Sequence, residues 1–109
     1  MGPENLAEAC KEERDALLAL YADVDGGSSV GEHLRVADLS QAQHEHVIAA
    51  LHDALTDAFY TMLLALDGAA SLGGRQQAYT LSDASGSAIA SGDGRLEAAA
   101  WAALQKDSA

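Results

Sequence analysis

Asp53, Asp57 and Tyr60 fall, with His46, on the side of a helical pattern opposite its apolar residues, and Glu45 stands earlier in the same stretch. Asp53 and Asp57 are four apart, so a helix sets them one above the other. A carboxylate pair at that spacing could receive a lysine or arginine of a partner, or divide acid and base roles between its members. The second use needs a pocket that separates the two pKa values, and no pattern in the chain marks one. No Lys or Arg lies between Arg35 and Arg75, so nothing nearby in sequence neutralises these carboxylates. We therefore expect Glu45, Asp53, Asp57 and Tyr60 to bind a partner, with no catalytic residue among them.

Other chemistries fail on spacing. Gly27–Gly31 fits G-x-S-x-G, the pattern of a nucleophilic serine at Ser29, but that elbow needs a preceding strand and a large sheet, and here a helical pattern precedes it. His44, His46 and His52 crowd one segment, yet no two are three or four residues apart, as a helical metal pair requires. "DVDGG" lacks the later ligands of a calcium loop. The chain is expected to be no enzyme and to hold no metal or cofactor.

Net charge sharpens the choice of partner. Six Lys and Arg against seventeen Asp and Glu leave −11, which repels nucleic-acid phosphates and anionic membrane surfaces and favours a basic protein. One cysteine, Cys10, excludes an internal disulfide and suits a reducing compartment. "MGPENLAEAC" has no apolar signal core, and we expect a cytoplasmic location.

The elements that would position these residues follow from periodicity and punctuation. The 109 residues suit one domain, 1–109. Gly2-Pro3 opens a first helix to about Ala22, with Glu13 at its wet edge and Cys10 on its apolar stripe, where Glu12 and Glu13 would raise the thiol pKa. "DVDGGSSVG" is expected to be a loop, and 32–39 is open between strand and helix. Ser40 and Gln43 form a capping box that starts a long helix. On it Val47, Ile48, Leu51, Leu55, Ala58, Phe59, Met62 and Leu66 face inward, and past Tyr60 the apolar residues spread around the axis, so this end should be the more enclosed.

Gly68 closes that helix, leaving Asp67 at its negative end with Arg75 as a candidate partner. "RQQAYTLSD" and "SAIASG" read as a β-hairpin turning at Gly86. Asp93 caps an Ala-rich last helix that Trp101 would anchor to the core. The fold class is α+β: helix, loop, long helix, β-hairpin and helix, with one small layer of strands packed on helices. A hairpin edge, or the apolar side of the last helix, could also complete a core across a homodimer.

"ALTDAFYTMLLALDGAASLGG" followed by "QQAYTL" resembles small bacterial α+β domains of unknown role, including immunity proteins that neutralise toxins. The resemblance implies an inhibitor that blocks its partner through an acidic surface.

Overall fold

A computed structural model describes residues 1–106. Four helices and one two-stranded antiparallel sheet follow in the order α1 (Pro3–Ala22), α2 (Ser29–Ala37), α3 (Gln41–Leu66), β1 (Leu81–Ser82), β2 (Ala88–Ala90) and α4 (Arg95–Leu104). The α+β class is as expected. Two compact units are distinguished, one of Met1–Lys11 with Thr56–Ala109, the other of Glu12–Leu55.

Local chemistry explains the helix ends. The Gly2 amide donates to Asn5 Oδ1 at 2.9 Å just before Pro3 begins α1, whose ring needs no amide partner. At α3 the capping box forms reciprocally: Ser40 N donates to Gln43 Oε1 at 2.9 Å, and Gln43 N to Ser40 Oγ at 3.1 Å. The helix then runs unbroken to Leu66. It stops in a Schellman turn, with Gly68 at φ 76°, Gly68 N donating to the Ala65 carbonyl at 3.1 Å and Ala69 N to the Leu64 carbonyl at 2.8 Å.

The unit containing α4 holds the apolar core. Ala7, Leu63, Ala90, Leu96, Ala99, Ala100 and Leu104 are buried together, and Leu6, Cys10, Phe59, Tyr60 and Leu81 pack on them half-buried. β1 and β2 pair as Leu81 with Ala90 and Ser82 with Ala88, which leaves Ile89 as the extra residue of a bulge. The bulge breaks the usual alternation, so the adjacent Ile89 and Ala90 are both buried. Burial alone raises the Cys10 thiol pKa, whereas the sequence pointed to Glu12 and Glu13.

At the hairpin tip Gly86 takes φ 88°, as the turn requires. Asp83 Oδ1 there accepts from Ser85 N at 2.9 Å, Ser85 Oγ at 2.6 Å and Ser87 N at 3.0 Å, and Oδ2 meets the Met1 amino group at 2.9 Å. The Ser85 hydroxyl first, then the amino group and the Ser87 amide, hold its carboxyl well below the usual carboxylate range. A depressed folded pKa means stability that is present above the unfolded value, near 4, and lost as pH falls below it. Against Asp83→Asn, the native chain should thus lead in urea unfolding at neutral pH. That lead should shrink steadily below about pH 4; a lead that does not change with pH would remove the carboxylate's role.

Three expectations need correction. The loop between the first and the long helix contains α2: Ser28 Oγ accepts from Gly31 N at 2.8 Å and caps a helix through 32–37, which settles that stretch as helical. The hairpin strands are shorter than the alternation over 75–82 suggests, because only Leu81–Ser82 pairs with β2 and residues 76–80 lie outside any strand. Trp101 does not anchor α4. It is 51% exposed, and the small buried faces of Ala99 and Ala100, with Leu96 and Leu104, seat the helix instead.

The Glu12–Leu55 unit is built differently. Its only buried residues are Arg14, which is bonded to Asp15 at 3.0 Å, and Gly31. Glu13 is exposed, as expected, whereas Leu17, Val24, Leu34, Leu39, Ile48 and Leu51 are no more than half-buried. A Cβ at Gly31 would lie 2.8 Å from Ser28 Oγ and 2.9 Å from the Asp23 carbonyl oxygen, so the missing side chain lets α2 press against the turn that precedes it.

Candidate partner-binding face

α3 carries all four residues singled out by the sequence. At about 100° per residue, Glu45, Asp53, Asp57 and Tyr60 project within about 120° of one another around the helix axis. Glu45, Asp53 and Asp57 are exposed, and the Asp53 side chain keeps 82% of its surface in solvent. Glu45 Oε1 accepts from Gln41 Nε2 at 3.2 Å, and Asp53 Oδ1 lies 3.1 Å from His52 Nδ1. Both contacts are local and leave carboxylate oxygens directed at water.

Tyr60 stands apart from the carboxylates. Its ring is half-buried against the core cluster, so it helps wall the core. Thr56 and Leu63 occupy the same arc of α3 and are buried, while Ala58 and Met62 of the expected inward stripe are exposed. The C-terminal half of α3 is apolar nearly all round, so its pattern leaves the buried side undetermined. Its deeper enclosure is as expected, since the buried residues of α3 are Thr56, Leu63 and Ala65.

By length and composition α3 could cross a bilayer, and only 11% of its most apolar window is buried. Asp53 and Asp57 sit near its middle, where a carboxylate costs about 2.5–3.5 kcal/mol in hydrocarbon.

Ser29 and Asp67, the other residues that could carry chemistry, sit at helix ends. Ser29 begins α2, one residue after the capping Ser28. Among the described residues no group of three or more His, Cys, Asp or Glu is arranged to hold a metal. Asp67 is buried, at 4% exposure, and its partners are backbone amides and not the Arg75 guanidinium. Oδ1 accepts from Gly92 N at 3.0 Å, and Oδ2 from Glu97 N, also at 3.0 Å. The carboxylate at the negative end of α3 thereby caps the positive end of α4, whose own N-cap, Gly94, has no side chain to do so. Asp93 contributes one further bond, accepting from Arg95 N at 3.1 Å.

Sequence reasoning missed a cleft in the Glu12–Leu55 unit. Residues from the end of α1, the turn, α2 and the start of α3 border an open cleft of about 370 Å³, lined by Val24, Leu34, Leu39 and His44 and by Asp38 and Arg35. Arg35 Nε donates to Glu32 Oε2 at 3.0 Å, a bond that lowers the Glu32 pKa and raises that of Arg35. The sequence signal for this region was Ser28 ahead of Glu32 and Arg35, a cap followed by an ion pair three residues apart.

Compared with known protein families, curated proteins and solved structures, the chain matches none. The likeness to immunity-protein domains stays on the residues that suggested it.

Proposed function

We propose that the chain is a non-enzymatic binding protein, of the inhibitor kind its resemblance implies, that engages a basic protein through Glu45, Asp53 and Asp57 of α3. The observation that carries this reading is the exposure of all three carboxylates on a helix with no Lys or Arg of its own. Carried on one helix, they are presented without the entropy loss of ordering a loop, and such carboxylates steer an oppositely charged partner toward contact. Tyr60 contributes from the edge of the core.

A second reading, a homodimer, is favoured by Trp101, which puts a large half-exposed ring on the open side of α4. One experiment separates the two. The binding partner is captured on the immobilised chain, and affinity is measured from about 50 to about 500 mM salt, a range over which screening grows severe. Engagement of a basic partner should weaken steeply with salt, and Asp53→Asn with Asp57→Asn should slow association about tenfold. Self-association of two chains at −11 each should instead tighten with salt. Affinity that ignores both salt and the two substitutions would end the acidic-face reading.

A further inference from the structure

We infer that the cleft between α2 and the start of α3 seats an apolar anchor side chain of a basic peptide segment, with lysines or arginines on either side of the anchor reaching the surrounding carboxylates. This rests on the basic-partner reading above and adds to it a second, apolar point of attachment.

The cleft is built before anything enters it. The turn is held by Gly26 N donating to the Asp23 carbonyl at 3.0 Å and Asp25 N to Asp23 Oδ1 at 3.1 Å. Gly31 lets α2 lie against that turn, and Asp38, in the left-handed conformation at φ 52°, redirects the chain into the Ser40–Gln43 capping box. Three ordered connections therefore fix the walls, and little ordering remains when a ligand arrives.

Its lining is half apolar, with Ala22, Val24, Leu34 and Leu39 set among Arg35, Asp38, Gln41 and His44, and the cleft is open to solvent. Val24, Leu34 and Leu39 are half-buried and line the cleft beside His44. A branched aliphatic side chain placed here would cover part of its apolar surface against Val24, Leu34 and Leu39 and leave the rest in water.

Charge decides what kind of chain brings that side chain. Residues 22–45 contain five carboxylates, Asp23, Asp25, Glu32, Asp38 and Glu45, against one cation, Arg35. Arg35 is already held by Glu32, with Asp25 close enough to add to its positive charge preference. Asp38 and Arg35 of the lining balance each other, and Glu32 and Asp25 beside Arg35 make the surroundings net negative, so a second copy of this acidic chain is repelled and a lysine- or arginine-rich segment is drawn in.

The test uses the full chain and three capped peptides: a lysine-rich one with a single central leucine, the same peptide with alanine in place of leucine, and a glutamate counterpart of the first. Binding is followed by NMR through the backbone amides. The leucine peptide should bind about threefold to fivefold more tightly than the alanine peptide, the ratio expected for covering about half of one aliphatic side chain. Its shifts should centre on Val24, Leu34, Leu39 and His44. Equal binding of both lysine peptides, with shifts confined to Glu45, Asp53 and Asp57, would overturn the anchor site and leave the acidic face standing. Failure of both lysine peptides, or preference for the glutamate one, would overturn both readings. Shifts at the cleft that grow with protein concentration and salt, without peptide, would assign the cleft to a second copy and overturn the proposal.

Discussion

Replacing Asp67 with alanine should lower the unfolding free energy by about 2–4 kcal/mol, a large share of the roughly 5–15 kcal/mol that holds a domain of this size. Two backbone amides, those of Gly92 and Glu97, depend on its two oxygens. Each bond to an ionised acceptor is worth about 1.5–3 kcal/mol, and alanine leaves both donors without it in a part-buried setting. The loss should be local as well as large. In hydrogen exchange the Gly92 and Glu97 amides should lose protection first, since α4 has no N-cap side chain of its own to replace the missing carboxylate. Asp67→Asn retains one acceptor oxygen and should fall between native and alanine. Urea unfolding of the three proteins checks the order, and an alanine variant within about 0.5 kcal/mol of native would show that water serves these amides equally well.

Gly31→Ala should also destabilise, against the direction that helix propensity predicts. Within a helix, alanine is favoured over glycine by about 1 kcal/mol. Here the new Cβ would stand 2.9 Å from the Asp23 carbonyl oxygen, a backbone atom with little room to give, and 2.8 Å from the capping Ser28 Oγ. Overpacking of this kind costs about 1–3 kcal/mol, and displacing the Ser28 cap about 1 more. The net expectation is a loss of about 1–3 kcal/mol by urea unfolding. In the peptide titration the same variant should weaken the leucine peptide more than the alanine peptide, because α2 moves away from Val24. A gain in stability would mean that the close approach is not a constraint.

These two positions show where sequence alone stops. The punctuation of the chain was readable: Gly2-Pro3 set the start of α1, Ser40 and Gln43 the start of α3, and Gly68 its end, because each acts through bonds within a few residues. The acidic residues of α3 were readable as well, since Asp53 and Asp57 fall on the polar side of the helical pattern. Asp67 was not, for its partners are backbone amides 25 and 30 residues away that any sequence would supply. α2 was hidden by Gly31, whose presence inside a helix answers a neighbour's carbonyl and not the helix itself. Tyr60 and Trp101 were misplaced for a related reason. Where apolar residues or alanines surround a helix, periodicity does not identify its buried side, and packing with Ala7, Leu63 and Leu96 makes the choice.

The bond between Asp67 and Gly92 also offers a way to look for kin of this protein. Leucine, isoleucine and valine can trade places within a core as long as volume is kept, so the apolar letters drift and carry little ancestry. An aspartate just before the glycine that ends a long helix, matched with a glycine-rich approach to a helix that lacks its own cap, is much harder to exchange piecemeal. Chains sharing that spaced signature would merit comparison even where their overall identity has faded below notice.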